Sequence, residues 1–301
     1  MITVALPTWK NKDILWLPLE GLARQKCNVP WELIVMECET DSKKLVESYK
    51  EKLEKAGCQN LVYIYSPYRM TLGIKWKMIA EHASGKVFCL QASDDYPQPD
   101  RNQKAWDALQ DNDWFHSRYF YHYSFKHKIL IKYDKETFKT NWKTGFNIST
   151  LTDKVRKIAD TQQPQGIDFY LYNQIKPESI FYDESSPRGG VATDGYNTLS
   201  TKRARFFLNP VPPYLKTDKT IESIGLPKTI VEQIQKLIIP KEMGEFGNKL
   251  TGKHVAVVFK KSFKGRRAGQ EYFIDEGIRD YLAYRGVIAT EDKGVTTKTK
   301  L

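Results

Sequence analysis

Cysteine is scarce in this chain of 301 residues: Cys27, Cys38, Cys58 and Cys89 are the only four, widely spaced and without a C-x-x-C pair. That scarcity excludes a zinc ribbon and a disulfide framework, and it suits reduced thiols in a cytosol. The five histidines have no metal-ligand spacing. No apolar run approaches the roughly 18–20 residues that cross a bilayer. The opening Met1–Pro7 has neither a basic stretch nor a small-residue cleavage site, so the sequence predicts no secretory leader and a cytoplasmic protein. The Asn147-Ile148-Ser149 sequon would then never meet the glycosylation machinery. Internal repeats and low-complexity segments are missing too. Acids are the minority charge, 36 Asp and Glu against 47 Lys and Arg, and the net charge of +11 favours anionic partners. The excess leans toward the end, where Lys241 to Leu301 carries 13 basic and 8 acidic residues. At 41 % hydrophobic and 28 % charged residues the chain has ordinary globular usage, which excludes wholesale disorder.

What is present in the first hundred residues is an alternation of strand-like and helix-like stretches. Ile2–Leu6 reads as a strand stopped by Pro7, followed by a helix from Asp13 to Arg24 with Pro18 disturbing its start. Strands are expected at 32–36, 61–65 and 86–91, and helices at 42–56, 71–83 and 100–110, with Gly57 ending the first of these. Such alternation calls for an α/β fold, a mixed and mainly parallel central sheet flanked by helices. Ligands of that architecture sit beyond the carboxyl ends of the strands. From Trp114 to Tyr133 aromatics alternate with polar residues, predicting two antiparallel strands in which His116, His122 and His127 are structural. Ile167–Ile175 reads as a helix. Asn209–Pro213 looks like the end of the main domain, which is expected over 1–213. A helical segment (Ile230–Ile239) and linker fill 214–250, and a small basic module fills 251–301, with a strand at 255–259 and a helix at 276–284.

The sharpest chemical signal is Asp94-Asp95, which follows an apolar strand and precedes Tyr96-Pro97-Gln98-Pro99. Two adjacent acids left unpaired in a crevice repel each other. A divalent cation with a preference for hard oxygen ligands, Mg²⁺ or Mn²⁺, relieves that cost and would bridge a diphosphate. Read by itself, the same triplet Ser-Asp-Asp also fits a turn with solvated acids.

Four blocks extend the pattern: Val4 to Trp9, Leu33 to Asp41, Ala83 to Phe88 and Ser93 to Asp95. In order and spacing they resemble the N-terminal half of family 2 glycosyltransferases, whose nucleotide-binding fold is called GT-A. The resemblance is strongest over 1–100 and fades over 110–210. It implies a nucleotide-diphosphate sugar as donor, most often a UDP-sugar, and Mn²⁺ or Mg²⁺ as cofactor. It also implies that Pro7 and Thr8 meet the nucleobase and ribose and that Glu37 replaces the aspartate that bonds the base edge. Asp94 would lie near the ribose or metal, and Asp95 would ligate the metal. Departures are visible: Ala92 stands where many members have a first acid, Cys38 is taken as the loop glycine, and Lys77 replaces an asparagine. Lys75 and Lys77 cannot share a helix face, and Lys75 is the candidate for phosphate contact.

A transferase of this kind needs a base for the acceptor hydroxyl. The family places a carboxylate near the start of a late helix, and Asp168 in Gly166–Leu171 is the best match, with Asp153, Asp160 and Asp194 as substitutes. An Asp168 base implies an inverting reaction. Trp114 and Trp142 read as packing in preference to sugar stacking. Gly247–His254 approaches a P-loop but ends on His254 and precedes a strand, so it is rejected. Residues 259–288 resemble a small strand–helix module found at the ends of some phage proteins, which points to partner docking, oligomerisation or simple covering of apolar surface, and to a host cytoplasm. The acceptor (glycan, protein, lipid or modified DNA) is not encoded in any motif. The competing readings are a nucleotidyltransferase and a catalytically silent binding protein whose basic tail holds nucleic acid or a structural partner.

Overall fold

The computed structural model describes residues 1–124, 129–134, 148–157, 167–193, 217, 219–236, 254–258, 271–275 and 297–301. Four strands form its centre: β1 (Ile2–Trp9), β2 (Trp31–Cys38), β3 (Cys58–Ser66) and β4 (Val87–Leu90). They pair in parallel in the order β3-β2-β1-β4, so all four carboxyl ends lie along one edge. Each is a near-continuous apolar run because both faces are covered. Ile2, Val4, Leu6, Leu33, Val35, Val87 and Cys89 pack on one side, against Leu19 and Leu22 of α1 (Trp16–Leu22) and its N-cap Leu15, Val46 of α2 (Lys43–Ser48) and Leu53 of α3 (Lys50–Lys55). Ala5, Ile34, Met36, Phe88 and Leu90 pack on the other side, against Ile74, Met78 and Ile79 of α4 (Leu72–His82).

Pro7 does not stop β1, which continues to Trp9. The carbonyl of Ala5 accepts from Gln91 N at 2.8 Å, so Ala5 faces β4, and Pro7, two residues on, faces the same way. There β4 has already ended, and the missing N–H costs no ladder bond. Helix α1 begins three residues later than expected, at Trp16, and Pro18 falls in its first turn, where an N–H has no intrahelical partner. The expected helix over 42–56 divides at Tyr49 into α2 and α3, and Gly57, with φ of 92°, closes it as anticipated.

The sheet continues from β4 through short antiparallel β8 (Ser149–Leu151) to β6 (Trp114–Ser124) and β9 (Ile180–Thr193). Two-residue β5 (Tyr96–Pro97) pairs with β9, and β7 (Ile129–Asp134) pairs antiparallel with β6, giving the expected aromatic hairpin. Helix α5 (Arg101–Ala108) joins the α1 side, whereas α6 (Thr152–Arg156) and α7 (Ile167–Tyr172) join the α4 side. A third cluster sets Ile230, Val231 and Ile234 of α8 (Lys228–Lys236) against Ile14, Leu17, Tyr96, Tyr121, Tyr123 and Leu130. Strands β10 (His254–Val258) and β11 (Glu271–Asp275) form a separate hairpin. Strand β12 (Thr297–Lys300) returns to the main sheet and pairs antiparallel with β3. The expected domain end at 209–213, the linker after Ile239 and the helix at 276–284 lie outside the described residues, as do His127, Trp142, Asn147, Asp160 and Asp194. Among the described residues no helix is long and apolar enough to cross a membrane.

Candidate active site

The register of the parallel strands sets Thr8 beside Glu37, and Glu37 beside Tyr65, at the carboxyl edge of the sheet. The order reverses between β1 and β4, the switch point where such sheets open a crevice. On the β1 side, Lys75 reaches from α4, whose start is fixed by the Thr71 hydroxyl accepting from Ile74 N at 3.4 Å. Lys75 is only 3 % exposed, and its ammonium donates to the Thr8 carbonyl at 2.8 Å. The Thr8 hydroxyl is buried and has no hydrogen-bond partner among the described residues.

Glu37 is fully buried. Its Oε2 accepts from Ser42 N at 2.8 Å and from the Tyr63 hydroxyl at 2.6 Å, and its Oε1 accepts from the Ser42 hydroxyl at 3.0 Å. Burial raises the Glu37 carboxyl above its ordinary value, opposed by these hydrogen bonds and by the charge of Lys75. The Tyr63 phenol is likewise pushed up, by burial first and then by Glu37. Three acceptances leave one lone pair of the carboxylate, on Oε1, without a partner from these groups.

The loop after β2 differs in one detail from expectation. Cys38 completes the strand, and the left-handed residue is Glu39, with φ of 64°. That is the conformation a glycine adopts freely, and it falls at Glu39, one residue after Cys38. Glu39 accepts from the Trp9 indole N–H, and Lys10, itself at φ of 50°, donates its backbone N–H to the Thr40 hydroxyl at 3.0 Å. The Arg69 guanidinium lies 4.2 Å from the Trp9 ring centroid. The ends of β1, β2 and β3 are thus bound together at the rim.

On the β4 side, Asp94 and Asp95 are 6 % and 3 % exposed. They occupy the turn between β4 and β5, away from bulk water. The turn is gripped by Asn11, whose Nδ2 donates to the Ser93 hydroxyl at 2.7 Å, and by Gln91, whose Nε2 donates to the carbonyls of Ala92 at 2.9 Å and Asp95 at 2.8 Å. Buried Arg101 donates to Gln91 Oε1 at 3.2 Å and to the Leu90 carbonyl. Burial lowers the Arg101 guanidinium, and Cys89 and Asp95 counter that shift. Among the described residues no third His, Cys, Asp or Glu gathers with other acids into a metal-holding group. A pair of hard carboxylates still suits Mg²⁺ or Mn²⁺, which commonly take one or two carboxylates and complete their shell with phosphate oxygens and water.

Asp168 sits half-buried in the first turn of α7, a helix seated on the α4 side through Ile167 and Leu171. It forms no hydrogen bond or ion pair with the other candidates among the described residues. The structure therefore brings Pro7, Thr8, Glu37 and Lys75 to one side of the sheet edge and Asp94 and Asp95 to the adjoining strand end, with Asp168 on a separate element. Asn11, Gln91, Arg101 and Tyr63 escape the motif pattern. Gln91 alone left a trace, as a polar residue closing an apolar strand directly before the acids.

No curated protein matches the chain by sequence. Among solved structures, S. aureus TarS is 15 % identical with a TM-score of 0.47, and the match covers 64 % of this chain and 36 % of that one. The mannosyltransferase PcManGT from Pyrobaculum calidifontis, in complex with GDP-Man and Mn²⁺, is 13 % identical with a TM-score of 0.44, covering 65 % and 56 %. Glucosyl-3-phosphoglycerate synthase from Mycobacterium tuberculosis, with Mn²⁺, UDP and glucosyl-3-phosphoglycerate, is 10 % identical with a TM-score of 0.42, covering 63 % and 71 %. The chain thus spans about a third of the TarS structure and rather more than half of PcManGT. The family model described as glycosyl transferase family 2 matches residues 3–157, just over half of the chain, and includes β1 to β4 and the acid pair. The chain belongs to glycosyl transferase family 2.

Proposed function

We propose that the chain is an inverting glycosyltransferase that moves a sugar from a nucleotide-diphosphate sugar, a UDP-sugar, to an acceptor hydroxyl. The reading is carried by one observation: the buried Asp94-Asp95 pair lies in the turn after β4, at the edge where Thr8, Glu37 and Lys75 close the end of β1. Glu37 offers its remaining Oε1 lone pair to an N–H of the base, and the Thr8 hydroxyl takes a donor hydroxyl. Lys75, with one N–H on the Thr8 carbonyl, presents its others to phosphate. Asp94 and Asp95 would hold Mn²⁺ or Mg²⁺, which when bound neutralises charge on the departing diphosphate. Asp168 takes the proton of the acceptor hydroxyl as its oxygen bonds the anomeric carbon. The bond from that carbon to the diphosphate breaks with its electron pair leaving on the phosphate oxygen, so the configuration inverts.

A thermal-shift panel of nucleotide sugars with and without Mn²⁺ tests this. A matching donor at a hundred times its Kd should stabilise the folded chain by about 2.7 kcal/mol. Asp95→Ala should abolish the Mn²⁺-dependent part and keep the fold. Asp168→Asn should keep donor binding and lose transfer, while unchanged turnover would move the base elsewhere. No response to any nucleotide sugar, together with salt-sensitive binding of nucleic acid, would replace this reading with that of a silent binding protein.

A further inference from the structure

With Ala92 in place of a first acid, the acid pair sits on a turn, and turns hold side chains less precisely than strands or helices do. This turn is nevertheless tied down from within. The Gln91 carboxamide, fully buried, reaches across it and donates to the carbonyls at both its ends, Ala92 and Asp95. Its orientation is fixed, because the flipped amide would turn its NH₂ toward the Arg101 guanidinium, donor against donor. Arg101 is itself anchored on the carbonyls of Leu90 and, at 3.5 Å, Ile148. From the opposite side Asn11 binds the Ser93 hydroxyl, and Asn11 is held in turn because its backbone carbonyl accepts from Ile14 N at 3.0 Å and Leu15 N at 2.9 Å just before α1.

We propose that Gln91, fixed by Arg101, and Asn11 are positioning residues that hold Asp94 and Asp95 in the arrangement that binds a divalent cation. The proposal rests on the glycosyltransferase reading above. A neutral amide secures the turn without adding charge beside two carboxylates, whereas a third acid would increase their repulsion whenever the cation is absent. Partners that orient metal ligands in this way typically change metal affinity 10–100-fold when removed.

The test measures UDP binding by calorimetry well below the melting transition, in Mn²⁺ and in EDTA. Gln91→Glu keeps the acceptor for Arg101 but sets an oxygen against the two carbonyls, Gln91→Met removes the two donors and the Arg101 acceptor without a new charge, and Asn11→Ala frees Ser93. Each should weaken UDP binding in Mn²⁺ by about tenfold or more, with binding in EDTA unchanged. A merely structural role would lower the melting temperature and leave the Mn²⁺ dependence of binding as in the wild type, which would overturn the proposal. If one variant fails to fold, the others carry the same comparison. Wild-type protein that binds UDP equally with and without Mn²⁺ would overturn the cation role itself. Mn²⁺-dependent wild type with unaffected variants would overturn only the positioning role.

Discussion

Glu37 lies fully buried with its carboxyl raised above the ordinary value of 4.5, burial being the largest cause. A raised carboxyl binds its proton more tightly in the folded chain than in the unfolded one. Its contribution to stability is therefore complete below about pH 4.5 and is lost as pH rises through the folded value. Glu37→Gln cannot lose a proton, so the wild type should lose stability relative to this variant as pH is raised across that window. Urea midpoints of both proteins between acidic and neutral pH would show it, and a constant difference would contradict it. Glu32 is buried at the opposite end of the same strand but serves another purpose. It accepts from the Thr3 hydroxyl and Ser84 N, each at 2.6 Å, and from Gly85 N at 3.2 Å. One strand thus carries one acid that ties down the chain before β4 and another at the proposed substrate edge.

At the scale of elements, the junction before β4 leaves no slack. A Cβ on Gly85 would stand 2.5 Å from Thr3 N and 2.7 Å from Ile2 C, both backbone atoms of the central strand. Gly85→Ala should therefore cost about 3 kcal/mol or more, measured as a fall in the denaturant midpoint. Gly57→Ala, strained by its φ and by a Cβ set 3.3 Å from Trp31 Nε1, should cost about 1 kcal/mol or more. From β1 to α5 all elements but two-residue β5 were legible, because their apolar runs are long or recur at helical spacing. Boundaries failed where a neighbour decided them: Pro7 is tolerated since β4 ends first, and α2 parts from α3 at Tyr49 without any breaker residue. Three-residue β8 and the Gly- and Ser-bearing β9 have no alternation to read and exist only through their partners. In the site, Asp94 and Asp95 stood out as an acid pair at a strand end. Gln91, Asn11 and Arg101 did not, because their roles depend on carbonyls and hydroxyls brought close by folding.

For the molecule as a whole, α8 decides how far the first core extends. Its buried Ile234 belongs to a cluster that includes Tyr96, the residue next to Asp95. Ile234→Ala should cost about 2–4 kcal/mol within one cooperative unfolding transition, whereas a separate early transition would make α8 an independent unit. The pairing of β12 with β3 reaches furthest along the chain, joining residues 297–300 to 62–65. During synthesis that flank of β3 stays open until roughly 230 further residues have been made, and closing so long a loop is slow. Until then an unpaired strand rich in Leu, Val, Tyr and Ile is available to the same flank of another nascent copy. Crowded translation is therefore a condition that exposes this chain to mispairing.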